Sequence, residues 1–475
     1  MLFSEYFNLW KSQSELDFVD IPIEWDIQLF VDPYAISSQK NRWSNETHNK
    51  IIHFFNLVLN YIQEDNVEKV LYMLWNLSEC HDIHFWFAGK DRWGKGVWEN
   101  QWEQLYDALK KSRAVTTGFL SDLEDCSLLV EWISNDKISD ITVRIILDKL
   151  IQYTQQQCLF WNIPMTKVPS DSYWDENEMR WKQDYVDLPL VAIGMEYKRI
   201  VLVPKYIARY KLLLDGDEYY NHYILNFLQE KYLRAGDSLC RTLKNWEIRP
   251  PYKKDLKSIH KKTKEYIAVF SRENEGVYVE YKHKKANMAI NTPLQDKQYN
   301  VEGKIQELES IPAWTQAAGK YHDCIMGCLG YIFENDLIHP QKEFEIHEGR
   351  KRIDILYTNT ERKWSFFSDL AAIKQIPSAY IMVECKNYSS EIKNPELDQM
   401  AWRFSPNRGK FWIIVCREFE DKDLFYKRCK DTCLDDRWFI IALDDADIKK
   451  LMLLKRDNNL KGIYVLLDSY YQKII

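Results

Sequence analysis

No apolar run in this 475-residue sequence approaches the ~18 residues that a membrane-crossing helix needs. The longest, such as Phe411–Cys416 and Trp438–Leu443, are strand-sized, so the sequence reads as that of no membrane protein. Glycine and proline are scarce, at 15 and 14 residues, while 46 % of the chain is hydrophobic and 28 % charged. That balance excludes collagen-like and disordered classes. There is no CxxC, and the ten cysteines are scattered, which argues against a thiolate zinc finger and a disulfide scaffold. Cys80, His81, Asp82 and His84 form the one cluster of metal-binding residue types, read here as loop residues with partly buried side chains. The N-terminus has neither a basic region nor a small-residue cleavage site, and a cytoplasmic location is expected. The net charge of −7 excludes a chain coated in positive charge.

The average hides a gradient. Residues 1–100 hold about 15 acids against about 8 bases, while residues 249–285 hold about 11 bases against about 5 acids. The basic stretch includes Lys253, Lys254, Lys257, Lys261 and Lys262, and reads either as a solvated face or as a phosphate-contacting one.

Apolar residues recurring at three and four predict helices over 51–61, 67–77 and 136–153, the last with Ser139 as a cap. The segments 188–194 and 199–204 read as a hairpin. The chain divides into a mainly helical domain over 1–168, an α+β region over 169–303, and a last domain over 304–475. In that last domain a helix from Pro312 precedes strands near Phe344, over 352–358 and over 379–385. A helix over 395–404, a strand over 411–416, a helix over 423–433, a strand over 438–443 and a helix from Asp445 follow. Helix, three strands, then alternation describes an α/β domain with a central mixed sheet flanked by helices.

Within it, Tyr380-Ile-Met-Val-Glu-Cys-Lys386 places Glu384 and Lys386 on one side of a strand and Cys385 on the other. The strand before it carries Asp354 between two isoleucines, and an acid there costs free energy unless it is paired or binds a cation. Two carboxylates on neighbouring strands are hard oxygen ligands suited to Mg²⁺. A lysine beside them can orient water and offset charge growing on a phosphoryl group. The chemistry this suits is metal-assisted phosphodiester hydrolysis.

Asp354 and Glu384-Cys385-Lys386, with their strands, resemble the PD-(D/E)xK nuclease superfamily, the restriction endonuclease-like fold, over about residues 311–450. The resemblance implies Asp354 and Glu384 as ligands of Mg²⁺, with Mn²⁺ as a substitute, and Lys386 as the group serving water and transition state. It further implies an acid on the preceding helix, for which Asp323 is the candidate and Glu334 the fallback. A supporting Gln399 on the following helix and a phosphate contact from Arg403 complete the expected set. Ile353 stands where the family often has proline. The expected function is a DNA-cleaving nuclease in restriction or anti-phage defence, acting on duplex DNA as a homodimer or with a defence partner. An RNA-cleaving enzyme of the same fold and a non-catalytic sensor subunit are the alternatives.

Two further ExK tripeptides, Glu196-Tyr-Lys198 and Glu280-Tyr-Lys282, read as edge-strand charges. Gly89–Gly96 falls short of a phosphate-binding loop because Gly96 replaces the required hydroxyl, and it reads as a glycine-rich surface loop.

Overall fold

A computed structural model of the chain describes residues 1–39, 41–85, 95–116, 118, 120, 122–131, 133–243, 246–289, 299–346, 351–362, 364–388, 409–436 and 438–475. The expected loop at 89–96 falls largely, and Gln399 and Arg403 fall wholly, outside these residues.

The buried side chains separate into two cores. One runs from Phe3 to Tyr281 and takes in Ile338, and the other runs from Val301 to Ile474 and takes in Phe160. The boundary expected near 168 does not divide a core: Trp174, Leu188, Tyr219 and Tyr281 pack with Phe18, Phe54 and Leu150. Among the described residues the sheets of the middle region are two-stranded ribbons, which bury too little apolar surface to stand alone. Apart from Ile338 and Phe160, the residues of the first core end at Tyr281 and those of the second begin at Val301.

Several local readings shift in register or type. The single helix expected over 136–153 is two, Asn135–Ile145 and Leu147–Trp161, and Ser134 caps the first by accepting from Lys137 N. Ser139 is buried instead, its hydroxyl accepting from Val31 N at 2.9 Å. Glu280 and Lys282 lie on the helix Glu275–Ala289, not on a strand. Val277, Tyr278 and Tyr281 recur there at helical spacing, and tertiary packing outweighs the β-branched, aromatic bias of the local sequence.

The C-terminal core is built on a five-stranded sheet in sequential order: β1 (Leu337–Ile346), β2 (Lys351–Asn359), β3 (Tyr380–Lys386), β4 (Phe411–Cys416) and β5 (Phe439–Asp444). The first two pairings are antiparallel and the last two parallel. Every residue of β4 is buried, as expected for a continuous apolar strand covered on both faces. The surrounding helices are α1 (Val301–Ser310), α2 (Ala318–Ile332), α3 (Phe366–Ala372), α4 (Lys422–Asp436), α5 (Asp445–Arg456) and α6 (Leu460–Gln472). Helix α2 contributes Tyr321, Cys324, Cys328 and Leu329 to this core.

Gly409, at the entry to β4, has φ +111°, and a β-carbon there would lie 2.8 Å from the Tyr380 carbonyl oxygen. Gly409→Ala is therefore expected to destabilise the domain by about 1–3 kcal/mol, the scale of such backbone strain. A urea midpoint equal to that of the parent would contradict the tight entry.

Asp336, in the turn before β1, shows a second local cost. Burial pushes its carboxyl up to about 6, with Arg362 only partly offsetting it at 3.7 Å. A carboxyl raised above its unfolded value favours folding fully below pH ~4 and loses that contribution as pH rises through about 6. Asp336→Asn is thus expected to stabilise at neutral pH by up to about 3 kcal/mol, from ~1.4 kcal/mol per pK unit. The gain disappears near pH 4, and thermal melts at both pH values measure it.

Candidate active site

Strand register gathers the chemistry of the C-terminal domain. Ile355 pairs with Val383, so Asp354 and Glu384 are the next position along the β2–β3 ladder, and both face away from the side those apolar residues share. One Asp354 carboxylate oxygen accepts from Cys385 N at 2.9 Å, holding the acid against β3. Glu384 is only 2 % exposed, and Oε1 accepts from Lys386 Nζ at 2.8 Å. Asp354, Glu384 and Lys386 are therefore brought together on one face.

The electrostatics follow from that packing. Burial opposes the Lys386 charge, but the Glu384 carboxylate beside it outweighs burial, and Asp354 adds to the effect, so the ammonium is held above its ordinary range. Lys386 is a cation at neutral pH and cannot act there as a proton acceptor. Cys385 points the other way into the core, where burial raises its thiol well above the ordinary value and removes it as a nucleophile. Asn387 ends the strand and is 3 % exposed, donating to the carbonyls of Pro312 and Trp314 at 3.0 and 2.9 Å. It ties the end of β3 to the segment that enters α2, a contact that sequence spacing alone did not reveal.

Asp323 is not brought to this face. Its carboxylate accepts from Lys342 Nζ at 2.8 Å, and Lys342 pairs with Ile355, placing it on the opposite side of the sheet from Asp354. The helical phase of α2 decides this, and the resemblance carried no information on phase. Glu334 is taken by Lys455 at 2.8 Å and is buried.

The decoy tripeptides have other uses. Lys282 pairs with Glu124 and Asp125, whereas Glu196 and Lys198 are exposed on a short ribbon. Of the loop cluster, Cys80 is buried and Asp82 pairs with Arg199 at 3.0 Å. His84 is buried beside Asp26.

The basic segment forms a separate surface. Lys253 and Lys254 open the helix Lys253–Ile259, and Lys254, Lys257, Lys261 and Lys262 are exposed. Lys253 Nζ donates to the Asn221 carbonyl, and Lys262 pairs with Asp217. Alongside stand exposed Trp246 and Tyr252, with the Arg241 guanidinium stacked 3.8 Å from the Tyr252 ring centre.

The comparisons with known proteins bear on the other half of the chain. Residues 8–215 match the family model described as a domain of unknown function, DUF8370. Apart from Phe160, the buried apolar residues of that segment belong to the N-terminal core, and it ends well before α2 and β1. No curated protein and no solved structure matches the chain.

Proposed function

We propose that the chain is a divalent-metal-dependent nuclease that hydrolyses phosphodiester bonds of DNA, with its active site at Asp354, Glu384 and Lys386. The observation that carries this reading is the convergence of two carboxylates from adjacent strands and a partly buried, ion-paired lysine on one face of the sheet. Charged groups gathered around a buried carboxylate cost stability unless they are paired, and such clusters are candidates for function.

The donor set fits Mg²⁺: both acids supply hard oxygens, and register sets them side by side on neighbouring strands. When bound, the ion would supply Lewis acidity toward a phosphoryl oxygen and would acidify a water. The chain's own part is positional. Cys385 N fixes the Asp354 carboxylate, and Glu384 holds Lys386 as an ammonium aimed along the same face. That ammonium would orient the attacking water and balance charge gathering on the phosphoryl oxygens. Expected products are a 5′-phosphate and a 3′-hydroxyl, as the family resemblance implies. The order and directions of the five strands support the same resemblance, and restriction or anti-phage defence is the context it suggests.

The exposed lysines of 253–262 with Trp246 and Tyr252 supply the surface expected to track a phosphate backbone and stack on bases. Purified protein with Mg²⁺ or Mn²⁺ is to be tested on supercoiled plasmid, linear duplex, single-stranded DNA and RNA. Plasmid or duplex cleavage that chelator abolishes is expected. Cleavage of RNA alone would change the substrate class. Absence of cleavage on all four, together with melting that is indifferent to metal, would favour a binding module.

A further inference from the structure

A second charged cluster lies in the N-terminal core, far in sequence from the sheet. His48 comes from the helix Arg42–Gln63, whereas Asp122, Glu124 and Asp125 come from the turn around Leu123–Asp125. One ligand atom each of His48, Asp122 and Glu124 lies within 4.8 Å of the other two. His48 Nε2 is 2.6 Å from Asp122 Oδ2. Asp122 is 8 % exposed, and its other oxygen, Oδ1, is buried with no hydrogen-bond partner. Glu124 is buried, with Oε1 2.5 Å from Lys282 Nζ and Oε2 accepting from Ser37 Oγ at 2.6 Å. Lys282 also reaches Asp125 at 2.8 Å, and Tyr278 donates its hydroxyl to the same carboxylate.

The charges of this cluster do not close. Three buried carboxylates face one lysine ammonium, leaving two negative charges when the imidazole is neutral. One divalent cation would restore neutrality without protonating His48.

We propose that His48, Asp122 and Glu124 form a binding site for a divalent transition-metal ion of the Zn²⁺ class. One imidazole nitrogen and two carboxylate oxygens are a donor set that Zn²⁺ accepts and that Mg²⁺, which demands oxygen, does not favour. The ion would take the place of the Nε2–Oδ2 hydrogen bond, the neutral imidazole keeping its one proton on Nδ1, and Asp122 Oδ1 is the buried oxygen that lacks a hydrogen-bond partner beside it. Ser37 and Lys282 occupy one lone pair on each Glu124 oxygen, leaving the other for the ion and fixing the carboxylate's orientation. Three protein ligands leave a coordination position for water, and the His48 side chain, 22 % exposed, gives the ion a route in. The bound ion would clamp the Arg42–Gln63 helix to the 122–125 turn and, through Lys282, to the Glu275–Ala289 helix.

The test uses the full chain carrying Asp354→Asn, so that the oxygen site on the sheet does not contribute to the count. Chelator-stripped protein is titrated with Zn²⁺ and, separately, with Co²⁺, whose visible d–d bands report a nitrogen and oxygen ligand set. One equivalent of Zn²⁺ is expected, weakened by at least ~100-fold in His48→Ala, the upper end of what loss of even a supporting partner costs. Glu124→Gln keeps the shape and removes the charge, and is expected to weaken binding likewise; it decides the question if His48→Ala does not fold. No stoichiometric Zn²⁺, or binding unchanged in both variants, would overturn the proposal. Neither result depends on whether the chain cleaves nucleic acid.

Discussion

Lys386→Ala is expected to lower metal-dependent cleavage by on the order of 10²–10³-fold, the loss that follows removal of one preorganised group facing a developing oxyanion. Lys386 Nζ stands 2.8 Å from Glu384 Oε1 on a face shared with Asp354, and the carboxylates keep it charged. Removing it takes away the positive charge that the described residues of the proposed site carry in the absence of metal. The same change leaves Glu384, with 3 % of its side chain exposed, without this hydrogen-bonded cation, so the metal-free domain is also expected to lose stability. The two effects separate experimentally. Circular dichroism reports the folded fraction, and Mg²⁺ is expected to restore part of the stability of Lys386→Ala by compensating Glu384, without restoring the rate. Glu384→Gln should show the opposite pattern, keeping the fold and losing both metal stabilisation and cleavage. If Lys386→Ala cut at the parental rate per folded molecule, the assignment of Lys386 to the transition state would fail.

Lys304→Ala is expected to have the largest effect on stability, about 3–5 kcal/mol, the cost of breaking a buried ion pair from one side. Lys304 of α1 and Glu15 of the N-terminal segment each expose 6 % of their side chains and meet at 2.8 Å, across the boundary between the two cores. Lys11 adds a second cation 3.5 Å from Glu15. The carboxylate sits directly over Gly327 of α2, where a β-carbon would lie 2.1 Å from Oε1. Burial opposes the Glu15 charge, but Lys11 and Lys304 outweigh it and hold the carboxyl below its ordinary range. A lowered carboxyl contributes stability that is present above pH ~4.5 and lost as pH falls through its folded value. The parent is therefore expected to weaken in acid at this seam, and Lys304→Ala to show a flatter acid limb. Urea unfolding at neutral and acidic pH measures both. A neutral-pH loss below ~1 kcal/mol, the level of an exposed pair, would mean that water reaches the seam.

The last domain was the more legible half of this chain, for a physical reason. Its strands are short apolar runs with period-two alternation, bounded by turn residues and separated by helical patterns. Tyr380–Lys386 and Phe411–Cys416 read cleanly because their alternation or continuous apolarity admits one arrangement. The N-terminal half mixes aromatic and β-branched residues into helices such as Glu275–Ala289, so local bias and tertiary packing disagree there. Its single core, shared between regions that read as two, depends on contacts such as Trp174 with Phe54, which no local pattern announces.

By itself the sequence determined that Glu384 and Lys386 share a face, because strand alternation leaves no other choice, and that Asp354 precedes them on a neighbouring strand. Tertiary structure alone decided which acids join them. The phase of α2 against the sheet gives Asp323 to Lys342 on the far side. It alone also joined His48 to Asp122 and Glu124, since folding brings a helix face and a remote turn into contact through apolar packing whose geometry no spacing along the chain encodes.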